Sequence, residues 1–184
     1  MVAKNKGKKI WYEILSSKEF NEVPIGETSS YDSKNIVGRV VRANLGLLAR
    51  DPRSQNIQIG FEVRDVTENK AHTQIKTYSL VNSYIKRVIK AGKSKADDSF
   101  IGESKDKVRL KIKPVILTRY KVQNKVLTEI RKMIRVEVLE YLKREDVNKF
   151  ISDLIYKKIQ KELKGKLSKI YPISVFEFRI VQRL

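Results

Sequence analysis

Apolar and cationic side chains alternate strictly over residues 108–113, in the run Val-Arg-Leu-Lys-Ile-Lys. Successive side chains of a β-strand point to opposite faces, so this pattern predicts a strand with an apolar face toward a core and a cationic face on the other side. The cationic members are Arg109, Lys111 and Lys113. Two residues advance a strand by about 6.5 to 7 Å, a spacing that suits successive phosphates on one nucleic-acid strand. We expect residues 107–120 to form this strand.

The next 22 residues, 123–144, change to a helical period. The apolar residues at three- and four-residue spacing are Leu127, Ile130, Ile134, Val138 and Tyr141. They predict a long amphipathic helix with these residues on its buried side. Cations lie on the opposite side of this helix and in the residues just before it: Arg119, Lys121, Lys125, Arg131, Lys132 and Arg135. We expect them to continue the cationic face of the strand as one basic surface.

The rest of the chain mixes both periods, which predicts the α+β class with a β-barrel-like mixed sheet core and packed helices. Strands are expected at residues 36–44, 56–66, 70–78 and 173–184. Helices are expected at residues 79–91 and 146–170, the second with a break near Gly165. Residues 11–33 and 92–106 read as irregular or loop, because Pro, Gly and polar residues punctuate them.

The net charge of +19 is concentrated rather than uniform. Residues 104–144 hold 13 basic and 4 acidic residues, whereas residues 13–103 hold 14 and 12. A cationic surplus gathered on particular elements indicates a docking surface for a polyanion, and it is less typical of a solvated helix face rich in lysine. RNA is favoured over duplex DNA because no helix-turn-helix, zinc-finger or zipper pattern is present.

A basic flexible arm is predicted for residues 1–10, ahead of a single globular RNA-binding domain over residues 11–184. Its cations are Lys4, Lys6, Lys8 and Lys9. Trp11 and Tyr120 are candidates for stacking on bases. For Trp11 a core anchor that fixes the arm to the domain is slightly favoured over stacking, and for Tyr120 both interpretations stay open.

Patterns of catalytic or metal sites are missing from the sequence. It has no cysteine and no GxGxxG, HExxH or GxSxG pattern. Asp97 and Asp98 are expected in a solvated acidic loop, and the single histidine, His72, as a structural residue. No apolar run approaches the roughly 18 residues of a membrane span, and the N-terminus lacks an apolar signal core. We therefore expect a soluble, intracellular protein with no cofactor, metal or membrane partner. Enzymes can lack local motifs, so the absence of motifs makes an enzyme with a small-molecule substrate less expected without excluding one.

Several segments of the chain together resemble the archaeal and eukaryotic small-subunit ribosomal protein family called eS-one, formerly S-three-Ae. The matching segments are KKIWYEIL, FNEVPIGET, GRVVRANLGLLARD, TRYKVQNKVLTEIRKMIRVEV and IYPISVFEFRIVQRL, which lie in this order between residues 8 and 184. Each is moderately specific by itself, and their order and spacing together are a strong signal. The chain ends before the C-terminal tail of eukaryotic members, which favours the archaeal type.

This resemblance implies a structural constituent of the small (30S) subunit in the cytoplasmic ribosome, supporting translation. It implies binding to the 3′ region of 16S rRNA, on the platform near the messenger exit. Neighbouring platform proteins, and messenger RNA near the exit channel, are further implied partners. The family has no catalytic residues to transfer.

Two other functions are also compatible with a strongly basic chain. An RNA-modifying enzyme or ribosome-assembly factor would bind RNA transiently and leave the purified subunit, whereas a ribosomal protein stays with it. A protein of anionic membrane surfaces would need a free apolar helix face, but the apolar side of the long helix is expected to be committed to the core.

Overall fold

The computed structural model describes residues 8–184 of the chain, in which there are nine strands and five α-helices. The strands are β1 (Ile10–Leu15), β2 (Pro24–Ser30), β3 (Val40–Asn44), β4 (Ile57–Thr67), β5 (Lys70–Leu80), β6 (Lys95–Asp97), β7 (Phe100–Glu103), β8 (Arg109–Thr118) and β9 (Ile173–Arg183). The helices are α1 (Leu45–Leu48), α2 (Asn82–Val88), α3 (Asn124–Arg144), α4 (Val147–Ile155) and α5 (Lys158–Leu167). The chain divides after Tyr78 into two compact units. Since two compact units can still unfold cooperatively as one, the single-domain expectation stays a prediction.

The first unit is built from β1 to β5 in the spatial order β2-β1-β5-β4-β3. Strand β1 is antiparallel to β2 and parallel to β5. The β4–β5 hairpin turns at Glu68 and Asn69, whose φ angles of 49° and 65° are typical of a tight two-residue hairpin turn. One apolar cluster of this unit consists of Tyr12, Ile14, Ile36, Val63 and Ala71.

The second unit is organised around β8, which is antiparallel to β9 on one side and to β7 and β6 on the other. The face of β8 with Leu110 and Ile112 is buried. Helix α3 packs there: a Cβ added to Gly102, which pairs with Leu110, would lie 2.6 Å from Leu142 Cδ1. The buried residues of α3 are Leu127, Ile130, Ile134, Val138 and Leu142. Helix α4 packs on β9, with the Phe150 and Phe178 rings 6.4 Å apart.

The expected β-barrel closure is wrong. Strands β2, β3, β6 and β7 each pair with one other strand among residues 8–184, and they therefore are sheet edges. A closed barrel has no edges, so the α+β class is confirmed but its sheet is open. The edge position also explains why β2 was missing from the sequence prediction. Its first residue is Pro24, and a proline in a sequence usually argues against a strand. At the first position of an edge strand, however, a proline removes no ladder hydrogen bond.

The helix break was predicted at the wrong residue. Helix α4 ends at Ile155, and α5 begins after Lys157, whose φ of 58° places it in the left-handed region. Gly165 lies inside α5, where a glycine costs about 1 kcal/mol relative to alanine and does not end the helix. The long helix at 123–144 and the strands at 56–66, 70–78, 107–120 and 173–184 are confirmed to within two residues at their ends.

The predicted basic arm falls largely on residues 1–7, which lie outside the described residues. Lys8 and Lys9 are exposed and have no regular secondary structure, and β1 already begins at Ile10. The folded unit therefore begins one residue earlier than expected, and the expected irregular structure of residues 11–33 is wrong where β1 and β2 form.

Candidate nucleic-acid interface

The cationic face of β8 has the predicted alternation. Arg109 is exposed and Lys111 and Lys113 are half-buried, while Leu110 and Ile112 between them are 1% and 0% exposed. Within residues 8–184 none of the three cations forms an ion pair. Three positive charges thus lie on one face about 6.5 to 7 Å apart, with no carboxylate within ion-pair distance, although Glu103 of β7 is the register partner of Arg109. We call Arg109, Lys111 and Lys113 the β8 ladder.

A bulge in β9 adds a cation that sequence reasoning missed. Lys113 pairs with Ile180 and Pro114 with Phe178, so Arg179 is an extra residue opposite this step of β8. It is exposed, and it lines an open groove together with Lys113 and Pro114 of β8, with Asp97 at the end of β6 and with Asp98 in the loop that follows. The extra residue of a bulge re-aims its side chain, and Arg179 therefore lengthens the β8 ladder. The signal that could have found it is Pro114, since proline within a strand marks a bulge or an edge.

The lysines of α3 do not continue this ladder. Helix α3 covers the face of β8 that holds Leu110 and Ile112, which is the face opposite the ladder. Lys125 and Lys132 are exposed on the side of α3 turned away from that core. The expected continuous basic surface is therefore wrong. The second unit instead has one basic surface at the β8 ladder and another on the outer side of α3.

Two arginines of α3 are occupied by the loop between β6 and β7. Arg135 contacts both carboxylate oxygens of Asp98 through its Nη2 atom, at 2.8 and 2.9 Å, and its guanidinium lies 5.7 Å from the Phe100 ring. Arg131 Nε donates to the Asp97 carbonyl at 3.1 Å. The Asp98 side chain is only 10% exposed, so the expected solvated loop is wrong for this residue. These contacts attach α3 to the sheet edge.

The loop between β8 and α3 exposes Arg119, Tyr120 and Lys121. The Arg119 guanidinium lies 5.9 Å from the centroid of the Tyr120 ring, which is 61% exposed. The Thr118 hydroxyl donates to the Tyr120 carbonyl at 2.6 Å, and the Val122 N–H donates to Ser94 Oγ at 3.0 Å. These hydrogen bonds hold the loop in one conformation, with an aromatic face and two cations turned to solvent.

Trp11 is 64% exposed, so its interpretation as a core anchor is wrong. Tyr12 and Ile14 fill the core from β1, and the alternation of the strand places Trp11 outside. Beside it, Lys9 Nζ lies 5.5 Å from the ring of the exposed Tyr31. Of the predicted arm cations, Lys8 and Lys9 are exposed, and Lys4 and Lys6 lie outside the described residues.

The strongest pKa shifts belong to structural contacts. Asp153 accepts a hydrogen bond from the Tyr141 hydroxyl at 2.6 Å, which lowers the pKa of that carboxyl and contributes, after burial, to the raised pKa of Tyr141. Burial raises the pKa of Glu177. His72 Nδ1 lies 3.6 Å from Glu22 Oε1.

Across residues 8–184 no three acidic or histidine side chains gather as a metal site. The described helices include none with the length and apolar character to cross a bilayer.

Comparison with known proteins yields one family. The model of the Ribosomal S3Ae family matches residues 2–184. A small ribosomal subunit protein eS1 from Nanoarchaeum equitans is 31% identical over 94% of this chain and 87% of its own length. The protein of the same name from Staphylothermus marinus is 30% identical over 92% and 80%. A third, from Halorubrum lacusprofundi, is 26% identical over 97% and 83%.

These matches cover both compact units and every segment on which the family resemblance was based. The similarity therefore does not come from one shared motif or from basic composition alone. The chain belongs to the Ribosomal S3Ae family.

Proposed function

We propose that the chain is a structural constituent of the small ribosomal subunit that binds 16S rRNA through the β8 ladder, the β8–α3 loop and the exposed lysines of α3. Family membership supports the ribosomal role. The mechanism is charge neutralisation: lysine and arginine side chains displace counter-ions from rRNA phosphates and let packed RNA segments approach one another. Such contacts give affinity and orientation and do not read base sequence.

The observation that carries the proposal is the set of unpaired cations on the β8 ladder. Some cations of the described chain have acidic partners, as Arg135 has Asp98 and Lys158 has Asp153, whereas the three ladder cations have none within ion-pair distance. Three like charges on one face of a strand repel one another, and a polyanion relieves this repulsion. The ladder is therefore a surface on which a phosphate backbone can bind.

Membership in a family of ribosomal proteins confirms the expectation of a structural protein that is not an enzyme. It also confirms the expected location in the cytoplasmic ribosome. The relatives named above are archaeal, which agrees with the expected archaeal type.

The finer location is a further part of the proposal. We place the chain on the platform near the messenger exit, against the 3′ region of 16S rRNA and beside neighbouring platform proteins, with messenger RNA within reach. The family resemblance supports this location. A photo-cross-linking side chain at Lys111 in assembled subunits tests it: we expect cross-links to nucleotides of the 3′ region, and cross-links confined to other regions would contradict it.

The salt dependence of rRNA binding tests the mechanism. If about eight phosphates are neutralised, log affinity should fall against log salt with a slope of about −6 to −7, taking 0.7 to 0.9 per phosphate. Fluorescence anisotropy with a labelled 16S rRNA fragment gives this slope. A slope shallower than about −3 would show that most of the basic surface is only solvated.

A further inference from the structure

Ser174 brings together two lysines that are 71 residues apart in the sequence. Lys93 Nζ donates to Ser174 Oγ at 2.7 Å, and Lys164 Nζ donates to the Ser174 carbonyl at 2.9 Å. Lys93 precedes β6 and Lys164 belongs to α5, so no local sequence pattern links them. Both ammonium groups therefore donate to atoms of the same residue, Ser174.

A second β-bulge makes this arrangement possible. Leu117 pairs with Val175 and Thr118 pairs with Ile173, which leaves Ser174 as an extra residue of β9. A bulged residue is released from the ladder of backbone hydrogen bonds. Its carbonyl is therefore free to accept the hydrogen bond from Lys164 Nζ. Its side-chain hydroxyl accepts the hydrogen bond from Lys93 Nζ.

The surrounding backbone is held by hydrogen bonds. The Ser94 N–H donates to Thr118 Oγ1 at 3.0 Å, and the Thr118 hydroxyl lies 3.1 Å from the Ser94 carbonyl. The Arg119 N–H donates to the Pro172 carbonyl at 3.0 Å. Lys93 and the loop with Arg119 thus start from neighbouring, fixed backbone positions at the same end of the sheet.

In the described part of the chain, neither Lys93 nor Lys164 forms an ion pair. Glu177 is near enough to Lys164 for its charge to act on that carboxyl, but the ion-pair partner of Glu177 is Lys157, at 3.8 Å. Two other lysines of α5 are neutralised: Lys158 pairs with Asp153, and Lys166 with Glu137 and Glu162.

We propose that Lys93 and Lys164, positioned by Ser174, form a second binding site for a phosphodiester of RNA, at the end of the sheet next to Arg119 and Tyr120. This inference rests on the proposed rRNA binding and names a contact outside the β8 ladder. Two ammonium groups repel each other, and an anionic oxygen between them removes that repulsion while accepting their remaining N–H donors. The exposed Tyr120 ring offers a stacking face for a base next to the bound phosphate.

The test replaces both lysines, Lys93→Gln with Lys164→Gln, and measures affinity for a 16S rRNA fragment over a range of salt. We expect the salt slope to become shallower by about 0.7 to 0.9, the share of one phosphate, which corresponds to a loss of affinity of about 4- to 6-fold at 0.15 M salt. Lys93→Arg with Lys164→Arg should retain the parent slope. Thermal unfolding of each variant shows whether the fold is kept.

The matched control is Lys86→Gln with Lys161→Gln, which removes two charges from exposed positions on α2 and α5. We expect this control to bind with nearly the parent slope. Equal losses in the control and in the Lys93 and Lys164 variant would overturn the site and leave the rRNA-binding function intact. If the parent itself shows no salt-dependent binding, both the proposed function and this site are wrong.

Discussion

Replacing the whole β8 ladder, Arg109→Gln with Lys111→Gln and Lys113→Gln, should separate RNA binding from folding. The three side chains have no ion-pair partner among residues 8–184, so no ion pair is lost in the folded protein. Substitutions of this kind change the free energy of unfolding by no more than about 0.5 kcal/mol each. Loss of three phosphate contacts should reduce the salt slope by about 2 to 3. Anisotropy with a labelled rRNA fragment and urea unfolding measure the two quantities.

The reverse experiment changes the other face of the same strand. Ile112 is 0% exposed, and Ile112→Ala should lower the free energy of unfolding by about 2 to 5 kcal/mol through lost burial and the cavity left behind. The folded fraction of this variant should bind rRNA with the parent salt slope. If instead the ladder variant unfolds, or binds as well as the parent at physiological salt, the assignment of the two faces is wrong.

Three further predictions concern single residues. Trp11→Ala should weaken binding to single-stranded rRNA by about 1 to 3 kcal/mol without moving the unfolding midpoint, since the ring is 64% exposed; unchanged affinity would exclude stacking. Gly102→Ala should cost about 1 to 3 kcal/mol in urea unfolding, because its Cβ would meet Leu142 Cδ1 at 2.6 Å; an unchanged midpoint would refute that packing. Burial raises the pKa of Glu177 above 4.5, so the stability from its protonated form is present below that pH and lost as pH rises through the folded pKa. Glu177→Gln should therefore flatten the fall in unfolding free energy with rising pH, and a profile parallel to that of the parent would contradict this.

Elements with long, regular periodicity could be predicted from the sequence. The alternation over residues 108–113 fixed both faces of β8, and the spacing from Leu127 to Val138 identified the buried side of α3. Tyr141, expected on that buried side, instead lies half-buried with its hydroxyl on Asp153, and Leu142 takes the core position. A one-residue difference of this kind depends on what packs against the helix.

Short and edge elements could not be predicted. Strands β6 and β7 have three and four residues, too few to show a period, and they form because β8 offers them a hydrogen-bonding edge. Barrel closure depends on which strands pair at the edges, and this information is tertiary. Proline and glycine in β2 are typical of loops in a sequence, although an edge strand accommodates both.

The candidate site was predictable in its residue types but only partly in its geometry. The sequence identifies the β8 ladder because its cations are neighbours in one strand. It does not reveal that α3 packs on the opposite face, nor that Arg135 is held by Asp98. The bulges at Arg179 and Ser174 shift the register of β9, and only the paired strands show which residue is the extra one.

Sedimentation of the tagged chain with small ribosomal subunits tests the central claim most directly. A structural constituent that neutralises many rRNA phosphates should co-sediment in amounts equimolar with 16S rRNA through a high-salt gradient, because its contacts are packed inside the assembled particle. The ladder variant should compete poorly with the parent chain for the same position. Release of the parent chain from mature subunits in high salt, or its presence only on immature particles, would contradict a structural role and indicate a factor that binds RNA transiently.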